Sequence, residues 1–420
     1  MALEARFFLA AVFAVAATCL CLSAVASAFA VPSVAFDEGY SPLFGDDNLV
    51  RSSDDKSVRL LLDRRSGSGF ISSDYYLHGF FSASIKLPKA YTAGVVVAFY
   101  VSACLSHHCS DLRTFLTLLP TKSALFRLSS CVAYQPHALV AQGRQQGEPH
   151  GLFGLSSPKR LRRLHPRINL SNGDVYEKTH DELDFEFLGS RWGGQWRVQT
   201  NAYGNGSTAR GREERYLLPF DPTLEAHRYS VLWAPTHIIF YIDDTPIREV
   251  IRHPGMGGDF PSKPMAVYAT IWDGSTWATD GGKYKVNYKY APFASEFSDL
   301  ALLGCRADPV LRAPRDGGGA GCAEPDLLGL LTADYAVMTP RKRAAMRAFR
   351  ARHMTYTVCY DAVRYAAGPF PECDVSDVEK ESFSAWGESK NVVMKARGRG
   401  RRRGRKAGAG AMSRLDVSSS

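Results

Sequence analysis

The sequence predicts an all-β fold, a sandwich or a barrel, on three observations. Short β-rich runs recur between turn signals, one ten-residue stretch alternates polar and apolar side chains, and 45% of the residues are hydrophobic, enough for a sizeable core. Ahead of position 101 the runs are 58–62, 80–87 and 95–100, with Ser66-Gly67-Ser68-Gly69 as a turn after the first. Following Asn172-Gly173-Asp174 the pattern resumes at 196–203, 229–233 and 238–242, the last closed by an Asp243-Asp244 turn. Residues 341–354, rich in Ala and Arg, predict a helix, and 356–360 predict a strand after it.

The alternating stretch, His180 to Gly189, reads His-Asp-Glu-Leu-Asp-Phe-Glu-Phe-Leu-Gly. A strand sends successive side chains to opposite faces, so His180, Glu182, Asp184 and Glu186 share one face and Leu183, Phe185 and Phe187 the other. The apolar row anchors the strand in a core, and the acidic row lines a cleft. Crowded carboxylates repel one another and lose hydration, which a merely structural strand avoids. A solvated edge strand would mix in Lys rather than repeat acids. Paired carboxyls suit retaining glycoside hydrolysis, which needs a nucleophile and an acid/base about 5–5.5 Å apart. The α-carbons of Glu182 and Glu186 stand roughly 13 Å apart on an extended strand, so the side chains must lean inward over Asp184.

That decapeptide resembles the active-site signature of the plant xyloglucan endotransglucosylase/hydrolases. Gly67-Ser68-Gly69-Phe70, Gln199-Thr200-Asn201, Arg212-Glu213-Glu214-Arg215, the run from Trp272 to Thr279 and a C-terminal Cys pair follow the same family in the same order. The likeness covers residues 34–101 and 171–375. It implies a two-sheet β-jelly-roll sandwich with a short α/β C-terminal extension, the acidic strand on its concave face. Glu182 is the expected nucleophile and Glu186 the expected acid/base. Asp184 is expected to hydrogen-bond Glu182 and to help set the two proton affinities. The family pattern adds substrate contacts from Gln199, Thr200, Asn201, Gly211, Arg212, Glu213, Thr276, Trp277, Gly281 and Arg364. Amides suit sugar hydroxyls and an indole suits a pyranose face. His180 orients a carboxylate, touches sugar or simply packs. No cofactor or metal is expected.

Residues 1–30 read as an export signal: Arg6 precedes an apolar run over 7–25, and Ala26-Ser27-Ala28 or Ala28-Phe29-Ala30 offers a cleavage site. A retained membrane anchor is the weaker reading, because small residues and Pro32 follow at once. The expected product is a secreted, monomeric protein of the cell wall space. Nine cysteines fit export once sorted. Cys19 and Cys21 leave with the signal, and Cys305, Cys322, Cys359 and Cys373 form an even set suited to disulfides. The family resemblance favours Cys305–Cys322 and Cys359–Cys373. Asn205-Gly206-Ser207 is a glycosylation sequon in a turn-rich loop, whereas Ser190 stands where relatives carry another.

The net charge of +9 sits in a tail: residues 395–406 hold eight basic residues and no acid. Such a Gly/Arg block buries too little apolar surface to order itself. With an export signal ahead of it, attachment to acidic wall polysaccharide fits better than nucleic acid. Residues 102–170 break the pattern, with Cys104, Cys109, Cys131 and Arg/Pro-rich stretches but no β periodicity. A structureless loop of that length is unusual inside a domain, and the segment reads as translated intron sequence in preference to a genuine insertion. At a hairpin tip, added length is tolerated best. His107-His108-Cys109 has no matching ligand pair nearby.

The expected organisation is a signal over 1–30, a catalytic jelly roll over 31–300, a disulfide-pinned extension over 301–375 and a basic tail over 376–420. The expected activity is retaining cleavage of xyloglucan and transfer to another xyloglucan chain. The segments 203–207 and 262–264 resemble the basic-tailed members of the family, which favours transfer. The alternatives are an endohydrolase, or a sugar-binding jelly roll disabled by the insertion.

Overall fold

The computed structural model describes residues 29, 31–103, 179–309, 324–362, 364–365 and 370–385. The strands in chain order are β1 (Tyr40–Phe44), β2 (Leu49–Arg51), β3 (Ser57–Leu62), β4 (Ser68–Ser72), β5 (Tyr75–Lys86), β6 (Val95–Ser102), β7 (Glu182–Leu188) and β8 (Arg197–Tyr203). Next come β9 (Glu214–Leu217), β10 (His227–Trp233), β11 (His237–Ile242), β12 (Thr245–Ile251), β13 (Ala266–Asp273), β14 (Phe293–Ala307) and β15 (Met354–Thr357). Helix α1 (Phe36–Gly39) lies near the start, and α2 (Glu324–Thr332), α3 (Pro340–His353) and α4 (Asp377–Ala385) near the end. Two antiparallel sheets form, one ordered β1-β4-β13-β6-β7-β8-β9-β15 and the other β12-β11-β10-β5-β14-β3-β2. The expected jelly-roll sandwich is what the chain adopts.

The core lies between the sheets and follows the two-residue period. Leu183, Phe185 and Phe187 on β7 are buried there with Tyr229, Val231, Phe240 and Phe297 from the opposite sheet. Each such side chain contributes about 1.5–3 kcal/mol on leaving water. Phe185 and Phe187 also meet Tyr229 edge to face, at centroid distances of 5.6 and 4.6 Å.

Several local expectations shift. Ser68 and Gly69 belong to β4 rather than to a turn. The glycines are there because β13 lies close: a Cβ on Gly67 would stand 2.0 Å from the Ile271 carbonyl oxygen. The strand expected over 356–360 ends at Thr357, and Val358–Tyr360 turns as a 3-10 helix whose Cys359 N–H donates to the Thr357 hydroxyl. Asp243 and Asp244 both take positive φ, at 46° and 61°, closing the β11–β12 hairpin as the sequence predicts. Helix α3 begins with Thr339, whose hydroxyl accepts from Lys342 N–H, and with Pro340 in its first turn. The boundary expected at 300 falls inside β14, so the C-terminal part continues directly from the sheet.

Strands β6 and β7 pair from Val96–Leu188 to Ser102–Glu182, and Ala103 N–H donates to the Asp181 carbonyl at 3.1 Å. The hairpin arms thus close normally on either side of the unusual segment. Most of that segment, with Cys104, Cys109, Cys131 and His107-His108, lies outside the described residues, as do most of the expected signal, Cys322 and residues 386–420 of the expected tail. The start of that tail departs from the expectation of disorder: residues 377–385 form α4, held to α3 by Arg350 and Glu379 at 2.9 Å. No described helix is long and apolar enough to cross a membrane.

Candidate active site

Because β7 is flanked by β6 and β8, its carboxylates stand within a band of paired side chains. Tyr100, Asp184 and Asn201 lie in one row; Ser102, Glu182 and Tyr203 in the next; Ala98, Glu186 and Gln199 in a third. The pairing puts Glu182, Asp184 and Glu186 on the sheet face opposite the core, as alternation predicts. Asp184 is buried, at 5% exposure, whereas Glu182 and Glu186 are partly open.

Each outer carboxylate has its own hydrogen-bond support. The Tyr203 hydroxyl donates to Glu182 Oε1 at 2.6 Å and also meets His180 Nε2 at 2.9 Å. His180 is buried, at 5% exposure. Gln199 Nε2 donates to Glu186 Oε2, and Gln199 Oε1 accepts from Arg215 Nε at 2.6 Å. Beside Asp184, Tyr100 on β6 stacks on Tyr268, its partner on β13, with centroids 4.9 Å apart. Burial, and after it the charges of Glu182, Asp184 and Glu186, push the Tyr100 phenol well above its ordinary range. It therefore remains a neutral neighbour of the acidic row.

The row continues past Glu186 into an apolar patch. Leu188, Val96 and Trp272 are paired neighbours on β7, β6 and β13, and Ala278 and Trp277 pack beside them. Gly189 ends β7 where the chain turns under Thr92: a Cβ would stand 2.0 Å from the Thr92 carbonyl oxygen. Thr276 and Gly281 lie exposed in the following loop, Gly281 with φ at 67°. On the far side, Arg364 forks onto Glu213 at 2.6 and 2.8 Å, and Arg215 reaches the same carboxylate at 3.4 Å.

Two expected contact residues stand elsewhere. Thr200 is fully buried on the core face, where Arg248 Nη1 donates to its hydroxyl at 3.0 Å. One-residue alternation from Gln199 and Asn201 turns it away from the carboxylates. Arg212 is fully buried, bonded to Glu372 and to Asp259 at 3.3 Å and stacked over Phe370 at 4.6 Å. It ties the C-terminal segment down rather than facing the row. Gly211 backs onto Asn201, whose Oδ1 a Cβ would approach to 3.2 Å. The neighbouring Glu214 faces inward, bonded to Arg350 at 2.6 and 3.1 Å and to Thr357 at 3.0 Å. Burial pushes its carboxyl up, but Arg350 and Arg248 outweigh that and hold it down at about 2.

Sequence reasoning passed over Tyr203, Tyr100 and Arg215. Alternation from Glu182 and Gln199 marks the first, whereas the other two depend on which strands are neighbours. Asp181 was also passed over. It is fully buried and accepts from Asn205, Ser262 and Lys263 N–H groups and from Lys263 Nζ at 2.6–2.9 Å, pinning two loops beside the row. Asn205 itself is exposed in its sequon loop. Cys359 and Cys373 form the expected disulfide. Cys305 is disulfide-bonded, and Cys322, its expected partner, lies outside the described residues.

The profile of glycosyl hydrolases family 16 matches residues 36–111 and 166–290. The profile of the xyloglucan endo-transglycosylase C-terminus matches 330–373. The chain is 48% identical over 383 residues to the probable xyloglucan endotransglucosylase/hydrolase protein 30 of Arabidopsis thaliana, covering 91% of this chain and 90% of that protein. It is 47% identical over 356 residues to probable protein 28 of the same series and organism, covering 85% and 84%. A Bacillus licheniformis beta-glucanase superposes with a TM-score of 0.38 at 17% identity, over 63% of this chain and 91% of that one, a likeness too slight to argue from.

Proposed function

The chain belongs to the xyloglucan endotransglucosylase/hydrolases of glycosyl hydrolase family 16, and from that membership we propose that it cuts the β-1,4-glucan backbone of xyloglucan and passes the fragment to a second xyloglucan chain. Glu182 attacks the anomeric carbon while Glu186 gives its proton to the departing sugar oxygen. An acceptor hydroxyl then loses its proton to Glu186 and displaces Glu182. Two inversions leave the original configuration. Asp184 stands between the two and tempers the charge they share.

The observation that carries this reading is the separate support of the two outer carboxylates. Glu182 receives a single hydroxyl donor from Tyr203, which suits a group that must stay ionised and aimed. Glu186 receives an amide that Arg215 holds in place. The apolar patch around Trp277 suits a sugar face on one side of the row, and Glu213 with Arg364 suits hydroxyls on the other. Asn201, with a buried Nδ2 that has no hydrogen-bond partner among the described residues, is ready to donate to a substrate oxygen. The chain acts outside the cell after signal removal, carries a glycan on Asn205 and holds to acidic wall polysaccharide through its basic tail.

Labelled xyloglucan oligosaccharide should enter polymer while reducing ends stay nearly constant. Release of reducing ends without incorporation would make the protein an endohydrolase. Binding without turnover would make it a sugar-binding module.

A further inference from the structure

Phe29 sits in a closed aromatic box on the outer face of the seven-stranded sheet. Its ring is 7% exposed and meets Tyr241, Tyr335 and Phe80 edge-on at 5.2, 5.9 and 6.0 Å. Leu232, Ile239, Leu330 and Ala336 complete the cluster, and Lys342 Nζ stands 5.3 Å over the ring. Its backbone is held as well. Phe29 N–H donates to Asp244 Oδ2 at 3.2 Å, and its carbonyl accepts from Arg228 Nη1 at 3.4 Å.

The two small-residue patterns that end the export signal differ in what becomes of this ring. Cleavage after Ala30 removes it and leaves the box open. Cleavage after Ala28 makes Phe29 the first residue and leaves the ring in place. We infer that the mature chain begins at Phe29, with its new α-ammonium paired to Asp244 and its ring filling the box as the anchor of the N-terminus. The inference rests on the export reading. The signal-removing protease adds water across the Ala28–Phe29 amide: hydroxide goes to the Ala28 carbonyl carbon, and the proton goes to the Phe29 nitrogen.

An α-amino group has an ordinary pKa of about 7.7–8.0, so it is a cation at neutral pH. It forms where a neutral N–H already points at the carboxylate, and a charge-assisted bond there is the stronger one. Asp244 has room for it: burial pushes its carboxyl up in spite of Arg228 at 3.5 Å.

N-terminal sequencing of the full chain secreted by a plant cell host should read Phe29 first. A secreted chain beginning at Val31 or any other residue overturns the inference and leaves the export reading standing. A chain that keeps residues 1–28 overturns both. As a second measurement, Asp244→Asn should lower the melting temperature of a chain starting at Phe29 by about 2–4 °C more than that of a chain starting at Val31. An equal loss in the two chains overturns the pairing.

Discussion

At the scale of single residues, the two outer carboxylates are set apart from their neighbours by what bonds them. Glu182→Ala should lower transfer by roughly four orders of magnitude or more, since no other group replaces the covalent step. Glu186→Gln should cost about 10²–10⁴-fold, the range for lost acid–base catalysis. Both are read by labelled oligosaccharide incorporation, with melting temperature as the control for folding. Tyr203→Phe removes the hydroxyl 2.6 Å from Glu182 while keeping the ring. A hydrogen bond to a charged group contributes about 1.5–3 kcal/mol. Turnover should therefore fall by roughly 10–100-fold, and unchanged turnover would remove Tyr203 from the account. Alternation made Glu182, Asp184 and Glu186 legible as a row and Leu183, Phe185 and Phe187 as its anchor. The same rule, applied to 199–203, separates Asn201 and Tyr203 from Thr200, which three contiguous polar letters conceal.

At the scale of elements, Glu214 joins strand β9 to β15 and helix α3 through Thr357 and Arg350, and Arg350 continues to Glu379 on α4 at 2.9 Å. Its carboxyl is held at about 2, below the ordinary 4.5. Stability from a carboxyl held down in this way is present above the unfolded value and is lost as pH falls through the folded one. The protein should therefore lose stability between about pH 4.5 and 2, and Glu214→Gln should flatten the loss over that window while lowering melting temperature at pH 7. His78 gives a second window. Burial, then Arg252, lowers its imidazole to about 4, and it sits at φ 71° against Trp233. The fold favours its neutral form, so stability should also decline as pH falls from about 6.5 to 4. His78→Asn, which tolerates the left-handed backbone, should remove that part in denaturant titrations across the range. None of this network was legible in the sequence. Glu214 and Arg350 meet only because β15 adds to the edge of the sheet, a pairing that no local period encodes. Gly69 departs from the turn reading for a related reason: a turn and a close strand crossing both call for a residue without a Cβ.

At the scale of the whole molecule, the strand pair that carries the site is intact on both sides of the unusual segment. Ser102 pairs with Glu182, and the family 16 profile leaves residues 112–165 unmatched. Deleting 104–171, which joins Ala103 to Asn172, should leave the sheet register unchanged and keep or raise transfer. Loop-closure entropy alone makes the shortened chain about 2 kcal/mol more stable. Loss of folding on that deletion would make the segment part of the fold. The fold class was the most legible feature, because strand spacing and the family motifs point to the same sandwich.

The covalent step is the centre of the account, and trapping it is the most direct test. The enzyme is mixed with a slow fluorinated xyloglucan donor, quenched in acid and digested, and the labelled peptide is fragmented to place the ester, because Glu182, Asp184 and Glu186 share one peptide. One donor-sized ester on Glu182, lost again when acceptor oligosaccharide is added before the quench, is the predicted result. An ester on Asp184 or Glu186, or turnover to product of inverted configuration with no ester at all, would contradict it.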